Sequence, residues 1–454
     1  MFTSDNALTL IYLLLWLITF CLYHRQNRKF DAGSLIIGLY ILYSIMSLIT
    51  LNNAVYVEKF RTLHLFPFLF LYIMLMTALS PSMYYHKYLI DMEIREPHSR
   101  MIFLLSCFIV VFSALQVPYL VNNFKSGIIA LFLDSDAGLN AYKELSLSAV
   151  ESGKGINNIS SIIYNMTCES AVFLFFYFLS IKKHHLLSLF LGLSSFVSLL
   201  IPLATGQRGN AVASILTLIA CYFLFRNRLS QGVRRIVRFT GVAVVIFVGV
   251  LVGLISFSRF NLSQGGVGGS VSWYMGQAPL YFNNYALDDG GIRYGDRTFN
   301  LLKRAVNSDT PANYVERRLK YGNLHIDDEL FTTFAGDFCI DFGPVIALLI
   351  FILFNAWVLL QMRPMNGTTI DLHQIYLLYF TICISVQGGM TLYSFSDTSG
   401  LKVIFFLLCI IISNFINNYW TFSLLTNLLK YKYYTINKLR RNYKEHWHSI
   451  KAVS

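Results

Sequence analysis

Charge is what this chain is shortest of. Asp, Glu, Lys and Arg make up 13% of its 454 residues, while 55% are hydrophobic. A soluble domain carries about twice that charged share. A water-soluble fold of this length would lack the polar surface to cover its core, so composition argues against a soluble enzyme. Paired cysteines are missing too. Cys21, Cys107, Cys168, Cys221, Cys339, Cys383 and Cys409 all lie in or beside apolar runs, and no CxxC spacing occurs. Neither a zinc site nor a disulfide framework is indicated. The glycine run at 265–269 has no phosphate-loop lysine, which leaves nucleotide binding unsupported. No second histidine stands at ligand spacing from His325, so no metal and no cofactor are expected. A cleavable signal peptide is not apparent. Residues 7–23 are preceded by Asp5 and followed by Arg25, Arg28 and Lys29, the reverse of a signal peptide's charge order.

What the chain has in quantity is apolar runs of roughly 16–25 residues, long enough to cross a hydrocarbon core of ~30 Å. They fall at about 7–23, 33–51, 63–80, 101–117, 159–181, 186–204, 210–225, 239–257, 339–360, 373–393 and 401–425. The runs are continuous rather than alternating, which predicts helices and not a barrel. The expected fold is an all-α integral membrane protein of about eleven transmembrane helices. Residues 1–454 form one polytopic domain with no internal repeat.

The net charge of +12 fits loops held on the cytoplasmic side better than nucleic acid, which is not expected as a partner. With the N-terminus outside, the inner segments 24–32, 81–100, 182–185, 226–238, 361–372 and the tail after 425 carry 3, 3, 2, 5, 1 and 7 Lys and Arg. The short outer segments 52–62, 205–209 and 394–400 carry 2, 1 and 0. This bias puts the C-terminus in the cytoplasm and makes 118–158 and 258–338 two large outer loops.

Three places could carry chemistry on that outer side. Thr205-Gly206-Gln207-Arg208-Gly209 turns a tight hairpin, where a guanidinium beside a helix start could hold a diphosphate. The second is the start of the late loop. Arg259 ends an apolar run, the glycines at 265–269 read as a hinge, and Trp273, Tyr274, Tyr281, Phe282 and Tyr285 follow. Such aromatics suit a membrane interface and also stack on sugars. Arg293, Arg297, Lys303, Arg304, Arg317, Arg318 and Lys320 lie in the same loop. Cations there have no orienting role and suit an anionic substrate. The third place runs from His325-Ile326-Asp327-Asp328-Glu329 to Gly336-Asp337-Phe338-Cys339-Ile340-Asp341-Phe342-Gly343. Asp337 and Asp341 share a helix face, and His325 is a candidate general base for a sugar hydroxyl. Within the spans, charge is confined to a few residues such as Glu169 and Lys402, fewer than ion-coupled transport uses.

The many helices, the arginine-bearing turn at 205–209, the dominant late loop and the acidic re-entry at 336–343 resemble the Wzy-type O-antigen polymerases and their O-antigen ligase relatives. The resemblance implies a membrane glycosyltransferase acting at the outer face of the bacterial cytoplasmic membrane. It would join undecaprenyl-diphosphate-linked oligosaccharide repeat units into O-antigen or capsule-type polysaccharide. Arg208, Arg259, Arg293 and Arg297 would hold the diphosphate, and His325, Asp337 or Asp341 would be the base. Membrane lipids, a chain-length regulator and a flippase are the implied partners. An O-antigen ligase and a flippase or transporter of lipid-linked oligosaccharide are the alternatives.

Overall fold

The computed structural model describes residues 4–95, 99–123, 159–204, 207–260, 264–307, 309–327, 330–363, 369–390 and 400–414. Most of the expected first outer loop (124–158), Thr205 and Gly206 of the hairpin turn, Asp328, Glu329 and the basic tail lie outside the described residues.

Helices dominate: α1 (Ser4–Asn27), α2 (Ala32–Leu51), the short α3 (Ala54–Val57), α4 (Leu65–Tyr88), α5 (Ser99–Ala114), α6 (Ile159–Ile181), α7 (His185–Ala204), α8 (Arg208–Phe225) and α9 (Gln231–Phe260). There follow α10 (Gly266–Tyr281), α11 (Asn300–Arg304), α12 (Tyr314–Lys320), α13 (Thr333–Phe342), α14 (Pro344–Gln361), α15 (Leu372–Gln387) and α16 (Gly400–Asn414). Among the described residues, nine helices are long and apolar enough to cross a membrane. They correspond to the first nine expected runs; the last two are represented by the shorter α15 and α16. This is an all-α protein of membrane-embedded character. α9 shows why: Phe239, Ile246 and Val250 on it are 79%, 62% and 58% exposed, an apolar face that a lipid phase would cover.

Local sequence sets several helix ends. Asp31 caps α2, its carboxylate accepting the Ser34 N–H at 2.7 Å. Asp371 and Gln374 form a capping box at the start of α15, satisfying two otherwise unpaired N–H groups. The core between helices is aromatic. Trp16 stacks on Tyr40 with centroids 4.9 Å apart, and Tyr12 stacks on Phe68 at 4.9 Å.

Helix ends gather at two poles. At one, Asn6 bonds Asn52, Asp5 accepts the Leu63 N–H, and Asn283 exchanges two hydrogen bonds with the His64 backbone. At the other, Arg228 donates to the carbonyls of Leu89 and Met92, and His86 lies 2.8 Å from Asp31. There too a two-stranded parallel pairing of β1 (Glu93–Arg95) with β2 (Thr369–Asp371) is clamped by Arg95 and Asp371 at 2.7 Å.

Two expectations need correction. The glycines at 265–269 are not a hinge; they begin α10, which packs against α2 and α3. A Cβ at Gly265 would fall 2.4 Å from the Tyr56 ring, one at Gly269 2.4 Å from the Asn53 amide, and one at Gly276 2.4 Å from the Met46 carbonyl carbon. At Gly276 two backbones approach closely, and at Gly265 and Gly269 glycine leaves room for the Tyr56 and Asn53 side chains. The Ser47 hydroxyl completes the contact by donating to the Gly276 carbonyl at 2.7 Å. The ninth span begins at Pro344 rather than at 339, because Gly343, at φ +79°, ends α13 and reverses the chain into α14.

Candidate functional site

α13 and α14 form a hairpin about Gly343, with Phe334 stacked on Phe351 at 5.4 Å. The Cys339 thiol meets the Met74 sulfur of α4 at 3.6 Å, so α13 lies against the bundle rather than in an open loop. Its first turn is pinned where the Phe334 N–H donates to the Gly388 carbonyl at 2.8 Å. As their spacing predicts, Asp337 and Asp341 share a face, and both are buried.

That face receives the segment before α11. Arg297 Nε lies 3.1 Å from Asp337 Oδ1, and the Thr332 hydroxyl donates to the same oxygen at 3.3 Å. Asp341 accepts the Thr298 N–H at 2.6 Å. Arg293 joins three segments. Its N–H donates to the Ile340 carbonyl at 3.2 Å, its guanidinium donates to the Ile326 carbonyl at 2.9 Å, and Asp289 lies 3.6 Å away. Arg293, Arg297, Asp337 and Asp341 are therefore brought into one buried network. Each expected diphosphate ligand in it already faces a carboxylate.

Two further carboxylates in this region escape the sequence reading. Burial alone would raise the pKa of Asp296. The Lys303 and Lys320 ammonium groups and the Tyr321 hydroxyl outweigh it and hold the carboxyl below its ordinary range. Asp289 shows the opposite balance. Burial pushes its carboxyl up to about 6, against the opposing effects of Arg293, the Ile326 N–H and His325. The signal for Asp289 was weak: it stands four residues before Arg293, but in a segment without helical periodicity, and Asp296 has no such spacing to mark it.

His325 stands on the exposed rim of a cleft of about 260 Å³, lined by Arg293, Arg317, Arg318, Tyr321, Gly322, Leu324, Ile326 and Asp327. Arg317 is buried, and Arg318 Nε lies 2.7 Å from Asp327. The structure thus gives His325 and Arg293, distant in sequence, one shared cavity, and adds Arg317 and Arg318 to them.

Arg208 is elsewhere, on the first turn of α8. It is buried, with its guanidinium 3.9 Å from the Phe260 ring centroid and 5.1 Å from that of Tyr274. Tyr274 in turn meets Phe331 edge-on at 5.3 Å, one residue before the Thr332 that bonds Asp337. The Arg259 backbone lies in the last turn of α9; its side chain lies outside the described residues. Glu169 and Lys402 pair with each other between α6 and α16 at 3.0 Å, and Gln387 bridges from Glu169 to Thr217 of α8. Among the described residues, no group of three His, Cys, Asp or Glu side chains is arranged to hold a metal.

Compared with known proteins, the chain matches no family model, no curated protein and no solved structure.

Proposed function

We propose that the protein is a membrane glycosyltransferase that joins repeat units carried on a lipid diphosphate, as Wzy-type polymerases do, at the outer face of a bacterial cytoplasmic membrane. The observation that carries this reading is the shared cleft: a histidine on the rim and three arginines in the walls. In the reaction, the acceptor sugar's hydroxyl oxygen attacks the anomeric carbon of the donor glycan. His325 accepts the hydroxyl proton, the bond from the anomeric carbon to the diphosphate oxygen breaks, and lipid diphosphate leaves with the electron pair. Guanidinium groups favour the charge that develops on that leaving group. Arg208, with its guanidinium near the Phe260 and Tyr274 rings at the head of an apolar helix, suits a diphosphate arriving at the level of the membrane surface. Asp337 and Asp341, both buried and engaged by Arg297 and the Thr298 N–H, hold the network in place, which leaves His325 as the base.

The test is a strain lacking this chain. Single repeat units should still be displayed and long chains lost, with His325→Ala reproducing the loss while the protein accumulates normally. Long glycan of normal abundance without the chain would overturn the proposal. Polymer retained on lipid would mean a ligase, and single units trapped at the cytoplasmic side a flippase.

A further inference from the structure

Behind His325 lies a residue that lines no part of the cleft yet holds its rim in place. The main-chain oxygen of Asp289 accepts the His325 N–H at 3.0 Å, and its carboxylate Oδ1 accepts the next N–H, that of Ile326, at 2.8 Å. The carbonyl of that same Ile326 is held by Arg293 at 2.9 Å, and Arg293 lies 3.6 Å from Asp289 Oδ2. One carboxylate, one guanidinium and the backbone of one residue, Ile326, thus close a ring directly after the histidine. The following residue completes the seat. Gly290 has φ +79°, and a Cβ there would come 3.1 Å from His325 Cε1, so the imidazole lies against bare backbone.

We propose that Asp289 is the positioning residue for His325, and that a proton taken up by its carboxylate loosens this clamp and so links the placement of the base to pH. The inference rests on the reading of His325 as the base. It deepens that reading by naming what holds the base and what releases it. A carboxylate is a stronger acceptor than the neutral acid. Protonation therefore weakens the bond to the Ile326 N–H and removes the charge that offsets Arg293. With its carboxyl raised to about 6 by burial, Asp289 is charged at neutral pH and takes up its proton just below. The ionisable side chains facing it are those of Arg293 and His325. Arg297 and Asp341 stand behind Arg293, and Arg317, Arg318 and Asp327 lie across the cleft.

The experiment uses the full-length protein in detergent, with a lipid-diphosphate-linked repeat unit as substrate. It compares wild type, Asp289→Asn and Asp289→Ala. Asparagine keeps an acceptor oxygen for the Ile326 N–H without the charge; alanine removes both. In Asp289→Ala, kcat should fall about tenfold or more while KM stays within about twofold, as misplacement of a reacting group does. Asp289→Asn, as neutral as the protonated acid, should recover only part of that loss and should already show at pH 7 the lowered rate that wild type reaches once Asp289 is protonated. On the acid side, the wild-type rate should fall as Asp289 takes up its proton. The Asn variant, with no such proton to take up, should fall less steeply. The His325 Cε1–H resonance of labelled wild-type protein should carry an inflection from the Asp289 titration that is missing in Asp289→Asn; this readout needs no activity. Undiminished turnover in Asp289→Ala, or the same acid slope and the same inflections in wild type and Asp289→Asn, would overturn the clamp. If Asp289→Ala does not fold, the Asn variant and the wild-type titration still decide. Undiminished turnover in His325→Ala would instead remove the reading of the base, with the titration result for the clamp left intact.

Discussion

Arg297 and Asp337 meet at 3.1 Å with side chains only 4% and 1% accessible, tying the segment before α11 to α13. Neither charge has water to fall back on. Removing one partner of such a pair leaves the other uncompensated, at a cost of about 3–5 kcal/mol. Arg297→Ala and Asp337→Ala should each lower the thermal unfolding midpoint of the purified protein, and the double variant should lose far less than the sum. Additivity within about 0.5 kcal/mol would show that the two do not act as a unit.

The approach of α10 to α2 makes a second, sharper prediction. Gly276 has no room for a methyl group, because the obstacle is the Met46–Ser47 backbone rather than a flexible side chain. Gly276→Ala should push α10 off α2, break the Ser47 hydroxyl bond and reduce the yield of monodisperse protein. Gly253→Ala on α9 is the control. Nothing lies within 4 Å of a Cβ there, and alanine favours helix by roughly 1 kcal/mol over glycine. Size-exclusion profiles of the two variants should diverge; matching profiles would mean the α2–α10 contact is loose.

What the sequence made legible was governed by hydrocarbon thickness. Nine helices coincide with apolar runs because a span must be long, apolar and helical at once. The Asp337–Asp341 face was legible for the same kind of reason, since helical spacing alone puts four-apart residues together. The seat of His325 was not. It is built from Asp289, Gly290 and Arg293, which lie in irregular chain and reach His325 only through long-range contacts. The glycines at 265–269 misled because composition cannot tell a flexible glycine from one at a helix start that leaves room for a neighbouring side chain, as Gly265 does for Tyr56 and Gly269 for Asn53.

Asp296 gives a pH prediction for stability. Its carboxyl is held below the ordinary range by Lys303, Lys320 and Tyr321, against the opposing effect of burial. A lowered folded-state pKa means the unfolded chain binds this proton more readily. The stabilisation is therefore fully present above the unfolded value and is lost as pH falls through the folded one. Asp296→Asn should be less stable than wild type at pH 7, with the gap closing on the acid side. Unfolding midpoints measured from pH 3 to 7 would check this; a gap that widens towards acid would contradict it.

Arg208 separates charge from shape. Its guanidinium carbon lies 3.9 Å from the Phe260 ring centroid and 5.1 Å from that of Tyr274, contacts that a planar, delocalised cation makes well. Lysine would keep the charge but lose the planar stacking and the fork that matches a diphosphate. If Arg208 holds the lipid diphosphate, Arg208→Lys should extend glycan chains poorly and Arg208→Ala not at all, with both proteins inserted and accumulating. The cage has its own handle. A Cβ at Gly209 would fall 3.0 Å from the Tyr274 hydroxyl, so Gly209→Ala should shift that ring and weaken extension while Arg208 is untouched. Glycan length distributions from the three variants would test the order. Wild-type lengths from Arg208→Lys would reduce the residue's role to charge, and wild-type lengths from Arg208→Ala would remove it from the site.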